Sequence, residues 1–249
     1  MTKTRNRHSH FLPKYLPKNF EETLEVHSKS AFFTEPYRTL RTNLHLLNSK
    51  NSLKTLLVTS SEPAEGKTTI LINVAISFLE EGEKVLIVDS DLRKPRIHKF
   101  FGIENYPGLT EVLLGTKKTE EVIKNFNSNF NVIPSGSLPN DPLKLFGSGE
   151  MKELVDNLKT KFDVILFDSP PVLSASDAAL ISRYVDGVIF VLNSGFIKED
   201  ILKRAKARLE KVKANVLGVV MNRFESKKHG YSYNPYDSYY YTDKENQKS

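Results

Sequence analysis

The stretch TLLVTSSEPAEGKTT, residues 55–69, decides the reading of this chain. Its apolar opening, Thr55 to Thr59, predicts a buried strand, and from Lys67 onward Ile70, Val74 and Phe78 recur at helical spacing. Between them lies a polar loop that closes on Gly-Lys-Thr. A strand, such a loop and a helix form the context in which backbone N–H groups of the loop and of the helix N-terminus face phosphate oxygens. In that geometry Lys67 sets a cation on the β and γ oxygens of ATP, and the Thr68 hydroxyl ligates Mg²⁺. Gly66 lets the backbone approach closely. The candidate nucleotide-binding set is therefore Ser61, Glu62, Ala64, Glu65, Gly66, Lys67, Thr68 and Thr69. Ser61 stands where the usual pattern opens with glycine.

Working outward, short apolar runs recur at Lys84 to Asp89, Phe130 to Pro134, Phe162 to Asp168, Gly187 to Asn193 and Val216 to Met221. Amphipathic stretches separate most of them, at about Lys67 to Glu81, Glu150 to Lys161, Ser176 to Tyr184 and Glu199 to Val212. Six strands alternating with helices predict an α/β fold of the P-loop NTPase kind, a mostly parallel sheet with helices on both faces. A further helix is expected from Thr34, Glu35 and Pro36 to about Leu47, with Pro36 in its first turn. The expected organisation is a flexible basic arm over residues 1–30, one P-loop domain over 31–225 and a flexible tail over 226–249.

Composition agrees with one sizeable core: 39% of the 249 residues are hydrophobic and 27% charged. With no cysteine, a disulfide framework, a thiolate metal site and a cysteine nucleophile are all excluded. No apolar run approaches the ~18 residues needed to cross a bilayer. The net charge of +6 is concentrated in Lys3, Arg5, Arg7, Lys14 and Lys18. Such an arm is either a solvated tail or an element drawn to anionic lipid or nucleic acid. The rest of the chain is nearly neutral, so nucleic acid is not an expected partner.

Ligands of parallel sheets bind at the carboxyl ends of the strands. Two strands end there in acids: Asp89, with Asp91 two residues on, and Asp168. Phosphoryl transfer needs Mg²⁺ held by hard oxygen ligands or their water shell, and an acceptor hydroxyl held in line. Asp168, assisted by Asp91, suits the metal, which leaves Asp89 to accept a proton. A phenol, with a pKa near 10, gains from a carboxylate close by as it attacks. Lys67, Asp89, Asp91 and Asp168 are the candidate catalytic residues, and Thr68, Asp91 and Asp168 the candidate metal ligands.

At this point the chain resembles the bacterial tyrosine kinases known as BY-kinases. The resemblance rests on the P-loop at Ser61 to Thr68, the strand and Asp89-Ser-Asp91-Leu-Arg93 run, the strand ending in Asp168-Ser-Pro-Pro171, and a tyrosine-rich C-terminus. It implies a Mg-ATP-dependent protein-tyrosine kinase, with Asn222 in contact with adenine and Arg223 stacked on the base. Glu35, Arg38 and Arg41 resemble the family's oligomerisation motif; three apart on a helix, they are expected to share a face and reach acids on a neighbouring subunit.

The family implies a homo-oligomeric ring whose subunits exchange tyrosine tails, a separate transmembrane activator, and a role in capsule or exopolysaccharide production. The expected location is cytoplasmic, at the inner face of the membrane through that activator. Tyr231, Tyr233, Tyr236, Tyr239, Tyr240 and Tyr241, six of the ten tyrosines, are the expected phosphorylation sites. Two other readings share the P-loop. A partition or positioning ATPase of the ParA and MinD kind carries a second lysine early in the loop, where this chain has Glu62. A nucleotide-dependent interaction module for a membrane protein needs only one Mg²⁺ carboxylate, and the Asp89 and Asp91 pair argues against it.

Overall fold

The computed structural model describes residues 20–29, 31–48, 53–195 and 198–223. The five basic residues of the arm and the six clustered tyrosines lie outside them. In chain order the elements are α1 (Phe20–Lys29), α2 (Ala31–Leu47), β1 (Thr55–Ser60), α3 (Lys67–Glu80) and β2 (Val85–Asp89). Then come α4 (Ile97–Phe101), α5 (Leu109–Leu113), α6 (Thr119–Val122), β3 (Lys124–Asn125), β4 (Phe130–Ile133) and α7 (Pro142–Phe146). The chain continues through α8 (Gly149–Lys159), β5 (Val164–Asp168), α9 (Asp177–Ile181), β6 (Gly187–Asn193), α10 (Glu199–Lys211) and β7 (Val216–Asn222).

The sheet runs β3-β4-β2-β5-β1-β6-β7, parallel throughout except where β3 meets β4. Period-two alternation divides the apolar side chains between two cores. Leu57, Leu86, Val88, Ile165 and Phe167 face one, which α8, α9 and α10 close with Leu154, Leu158, Ile181 and Leu209. Leu56, Val58, Val85, Ile87 and Leu166 face the other, closed by Ile72, Ala75 and Ile76 of α3. Burial on both faces is why these strands read as continuous apolar runs.

All six expected strands are present, their ends within two residues of the sequence boundaries. The seventh, β3, is two polar residues long and carries no apolar signal. Helices α4 to α7 each have four or five residues, too few for a helical period to show. The N-terminal boundary differs from expectation. Residues 20–29 form α1, because Phe20 is 6% exposed among Phe101, Phe126 and Phe130, with ring centroids 4.5–6.0 Å away. Helix α2 begins at Ala31 rather than near Thr34, so Pro36 lies inside it.

At the amino-terminal edge of the sheet, Asp186 fixes the start of β1. One of its carboxylate oxygens accepts bonds from the backbone N–H of Lys54 and Thr55 at 2.9 Å and from the Thr55 hydroxyl at 2.8 Å; the other takes Lys159 Nζ at 2.6 Å. Burial pushes this carboxyl up, but the bonds from Lys159 and Thr55 outweigh it and hold the pKa below the ordinary aspartate value. A depressed carboxylate stabilises the fold above its unfolded pKa of about 3.9, and that contribution is lost as pH falls through the folded value. Asp186→Asn should therefore cost about 1–2 kcal/mol at pH 7 in urea melts, given the partly buried setting. The difference from the parent should shrink steadily below pH ~4.

Candidate active site

The P-loop leaves β1 at Ser60 and enters α3 at Lys67 through two left-handed residues, Ala64 at φ 64° and Gly66 at φ 94°. A Cβ on Gly66 would lie 2.0 Å from Asn222 Nδ2, so glycine is required by space as well as by φ. The loop is pre-shaped by Glu65, whose carboxylate accepts the Ser61 hydroxyl and the Glu62 N–H, both at 2.8 Å. Gly66 caps α3 with no side-chain bond, which leaves the first N–H groups of that helix free for an anion. Lys67, Thr68 and Thr69 follow on the first turn.

Strand register brings two of the acids together beside this loop, and Asp91 follows just beyond the end of β2. Asp89 of β2 lies directly opposite Asp168 of β5, and Asp168 is in register with Val58 of β1. Thr68 Oγ1 donates to Asp168 Oδ2 at 2.7 Å, while Asp168 Oδ1 is buried with no hydrogen-bond partner among the described residues. Such an orphaned oxygen beside a threonine hydroxyl is a hard-ligand set that fits Mg²⁺. Burial raises the Asp168 carboxyl to about 6 against the pull of Lys67 and the Thr68 hydroxyl. Burial pushes Asp89 further, to about 8, and neighbouring Asp168 and Asp91 add to the rise.

Asp89 also has a structural task. Its Oδ2 accepts the backbone N–H of Arg96 at 3.2 Å and of Ile97 at 3.1 Å, and its Oδ1 that of Asp91 at 3.3 Å. Asp91 Oδ1 takes the Lys94 N–H at 3.0 Å. Together they fold residues 91–97 into a fixed loop beside the P-loop.

Asn222, at the end of β7, donates to the Glu65 carbonyl at 2.9 Å and abuts Gly66; Arg223 is left-handed at φ 57° and exposed. Both sit at the rim of the P-loop. The Glu35, Arg38 and Arg41 set is split. Arg41 is 9% exposed and bonds the Ser77 carbonyl at 2.5 Å and Glu81 at 2.6 Å, whereas Arg38 Nε meets Glu80 at 3.0 Å. Three-residue steps turn a helix by about −60°, so Glu35 and Arg41 point about 120° apart and do not share one face.

Comparison with known proteins follows this geometry. Residues 53–216 match the family described as an AAA domain. The chain is 38% identical to tyrosine-protein kinase YwqD of Bacillus subtilis (strain 168) over 197 residues, 79% of this chain and 83% of that protein. It is 32% identical to putative tyrosine-protein kinase CapB of Staphylococcus aureus, with 88% and 93% covered. The kinase domain of the Escherichia coli tyrosine kinase ETK superposes with a TM-score of 0.76 at 30% identity, covering 90% and 88% of the two chains. The chain belongs to the bacterial tyrosine-protein kinase family. MinD of Pyrococcus horikoshii OT3, complexed with Mg-ADP, is a more distant likeness of the fold, with a TM-score of 0.58, 26% identity, and 69% and 71% covered.

Within this kinase family member, one supporting pair escaped the sequence reading. Asp177, fully buried at the start of α9, binds Arg93 Nε at 2.8 Å and Arg93 NH2 at 3.1 Å, a two-pronged contact that pins the acid loop to the opposite layer. Nothing near Asp177 in the sequence marks it as anything but a helix-start acid. The Gly66 geometry makes a direct prediction: Gly66→Ala should abolish Mg-ATP binding in titration calorimetry, and adding Asn222→Ala should not restore it, because the φ of 94° still opposes a side chain.

Proposed function

We propose that this chain transfers the γ-phosphoryl group of Mg-ATP to tyrosine hydroxyls, including those between Tyr231 and Tyr241 of its own kind. The observation that carries this is the Thr68 and Asp168 pair with its unpartnered oxygen, set beside the P-loop and two further acids. Bound Mg²⁺, held by Thr68 and Asp168 with Asp91 assisting, supplies neutralisation of charge on the phosphate oxygens. Lys67 adds a fixed cation there, and the N–H groups of Ser61 to Thr69 cradle the phosphates. Asn222 and Arg223 border the base.

In the transfer, the tyrosine oxygen bonds to the γ-phosphorus, the bond from that phosphorus to the bridging oxygen breaks, and ADP leaves. The phenol proton passes to Asp89, which the strand register sets opposite Asp168. Assembly into a homo-oligomer uses the outer side of α2 through Glu35 and Arg38, with Arg41 holding α2 in place. The family supports a transmembrane activator as partner, a location at the inner face of the membrane, and a role in capsule or exopolysaccharide production. No helix among the described residues is long and apolar enough to cross a membrane.

Lys67→Met should reduce phosphotyrosine formation by a factor of about 100 or more while the melting temperature stays within a degree or two. Changing all six tyrosines from 231 to 241 to Phe should remove most autophosphorylation and leave ATP affinity unchanged. Phosphate mapped by mass spectrometry mainly to Tyr37, Tyr106 or Tyr184 would reject the tail as substrate.

Asp168→Asn and Asp89→Asn should separate. The first should weaken Mg²⁺-dependent nucleotide binding, and the second should spare binding and slow transfer to tyrosine. If Asp89→Asn lowers the melting temperature but leaves turnover per folded molecule intact, Asp89 serves the 91–97 loop alone.

A further inference from the structure

Beside the acids lies a cavity of opposite sign. It is an open depression of about 540 Å³ lined by Arg93, Lys94, Arg96, His98, Lys99 and Asn105, with Pro95 between them and no acid. That volume is within the range of about 300–1,000 Å³ common to small-ligand pockets. Lys94, Arg96 and Lys99 are exposed and form no ion pair among the described residues, whereas Arg93 is committed to Asp177. Its far wall is anchored, since Asn105 donates to the Gly136 carbonyl at 2.6 Å and accepts the Ser135 hydroxyl at 3.0 Å. The near wall is the loop whose Arg96 and Ile97 N–H groups bind Asp89 and whose Lys94 N–H binds Asp91. The cavity therefore shares its wall with the phosphoryl-transfer site.

We propose that this cavity is a phosphotyrosine subsite, which holds a tyrosine of the 231–241 segment that is already phosphorylated while a neighbouring one is presented to the γ-phosphate. The reading rests on the kinase activity above. Charge chooses the ligand. Residues 231–241 carry one charged side chain, Asp237, a formal −1, so the unmodified segment has a single carboxylate to offer a basic cavity. Each phosphate adds about −1.5 to −2. Guanidinium and ammonium groups bind a phosphate monoester through charge-assisted bonds that neutral tyrosine cannot make.

Spacing fits as well. The six tyrosines stand one to three residues apart, a reach of about 3–10 Å in extended chain. That is the scale of the loop itself, since Asp89 Oδ2 accepts the Arg96 backbone N–H at 3.2 Å. A new phosphotyrosine, repelled by Asp89, Asp91 and Asp168, has a cationic site one loop away. The first phosphorylation would then favour the next on the same chain.

The test uses the full chain carrying Lys67→Met, so that no transfer occurs, and peptides of residues 231–241 that are unmodified or phosphorylated at Tyr239 and Tyr241. By fluorescence anisotropy the phosphorylated peptide should bind about tenfold or more tightly than the unmodified one. Lys94→Ala, Arg96→Ala and Lys99→Ala together should erase that difference while leaving Mg-ADP affinity unchanged. Equal affinity for the two peptides, or a preference that survives the triple change, would overturn the proposal. Displacement by inorganic phosphate at the same molar concentration would assign the cavity to free phosphate, and binding of anionic vesicles that outcompetes the peptide would assign it to lipid; either rejects the subsite. In the catalytically competent chain, failure of the kinase reading would appear separately, as no phosphate transfer at all.

Discussion

Parallel pairing of β2 with β5 sets Asp89 opposite Asp168, and everything else in the site answers to that register. Burial raises both carboxyls above an ordinary aspartate, with Asp168 adding to the rise at Asp89 and Asp91 to the rise at Asp168. Folding alone gains nothing from such a pair. Each is held by neighbours fixed by the backbone: the Ser90 N–H donates to the Asp168 carbonyl at 2.9 Å, the Ser169 hydroxyl to the Val58 carbonyl at 3.0 Å, and the Val172 N–H to the Ser60 carbonyl at 2.8 Å. The ends of three strands are thus tied before any ligand arrives. A cation brought to the free oxygen of Asp168 would give that buried oxygen the partner it lacks among the described residues.

Helix α3 carries that site outward. Its N-terminus faces the phosphates, and its last two turns receive Arg41 and Arg38 from α2. Arg41 is buried against a backbone carbonyl, a bond that truncation would leave unsatisfied. The His27 ring contributes a further bond, 2.8 Å from Asn73 Oδ1, which joins α1 to the same helix. The two N-terminal helices therefore form one layer with α3.

Legibility in the sequence follows the strength of each local signal. The P-loop and the acids of β2 and β5 were readable because their chemistry is compressed into short runs next to strands buried on both faces. Asp168 and Thr68 could be paired from strand and loop positions alone. Arg41 bonds α3 of its own chain, a contact that three-residue spacing along α2 does not reveal. Helix α1 falls within the expected flexible arm because its charged residues hide the one that anchors it, Phe20, whose partners Phe101, Phe126 and Phe130 lie 81 to 110 positions away. Asp177 likewise acts through Arg93, 84 residues earlier. Contacts of that range have no local trace.

Electrostatics along the 89–99 segment bring these threads together. Its first three residues put two acids at the transfer site, and its next eight put four cations, Arg93, Lys94, Arg96 and Lys99, along the adjoining loop. One of the four is neutralised by Asp177, which fixes the loop without cancelling its sign. The acids need a metal before an anionic phosphate can approach, whereas the cations attract phosphate at any time. A substrate whose charge becomes more negative with each turnover is therefore moved along the segment, away from the acids and toward the cations, by the same reaction that modified it. The sign change lies within one short loop, and Asp89 is the residue that binds the two halves, accepting its backbone bonds from Asp91 on one side and from Arg96 and Ile97 on the other.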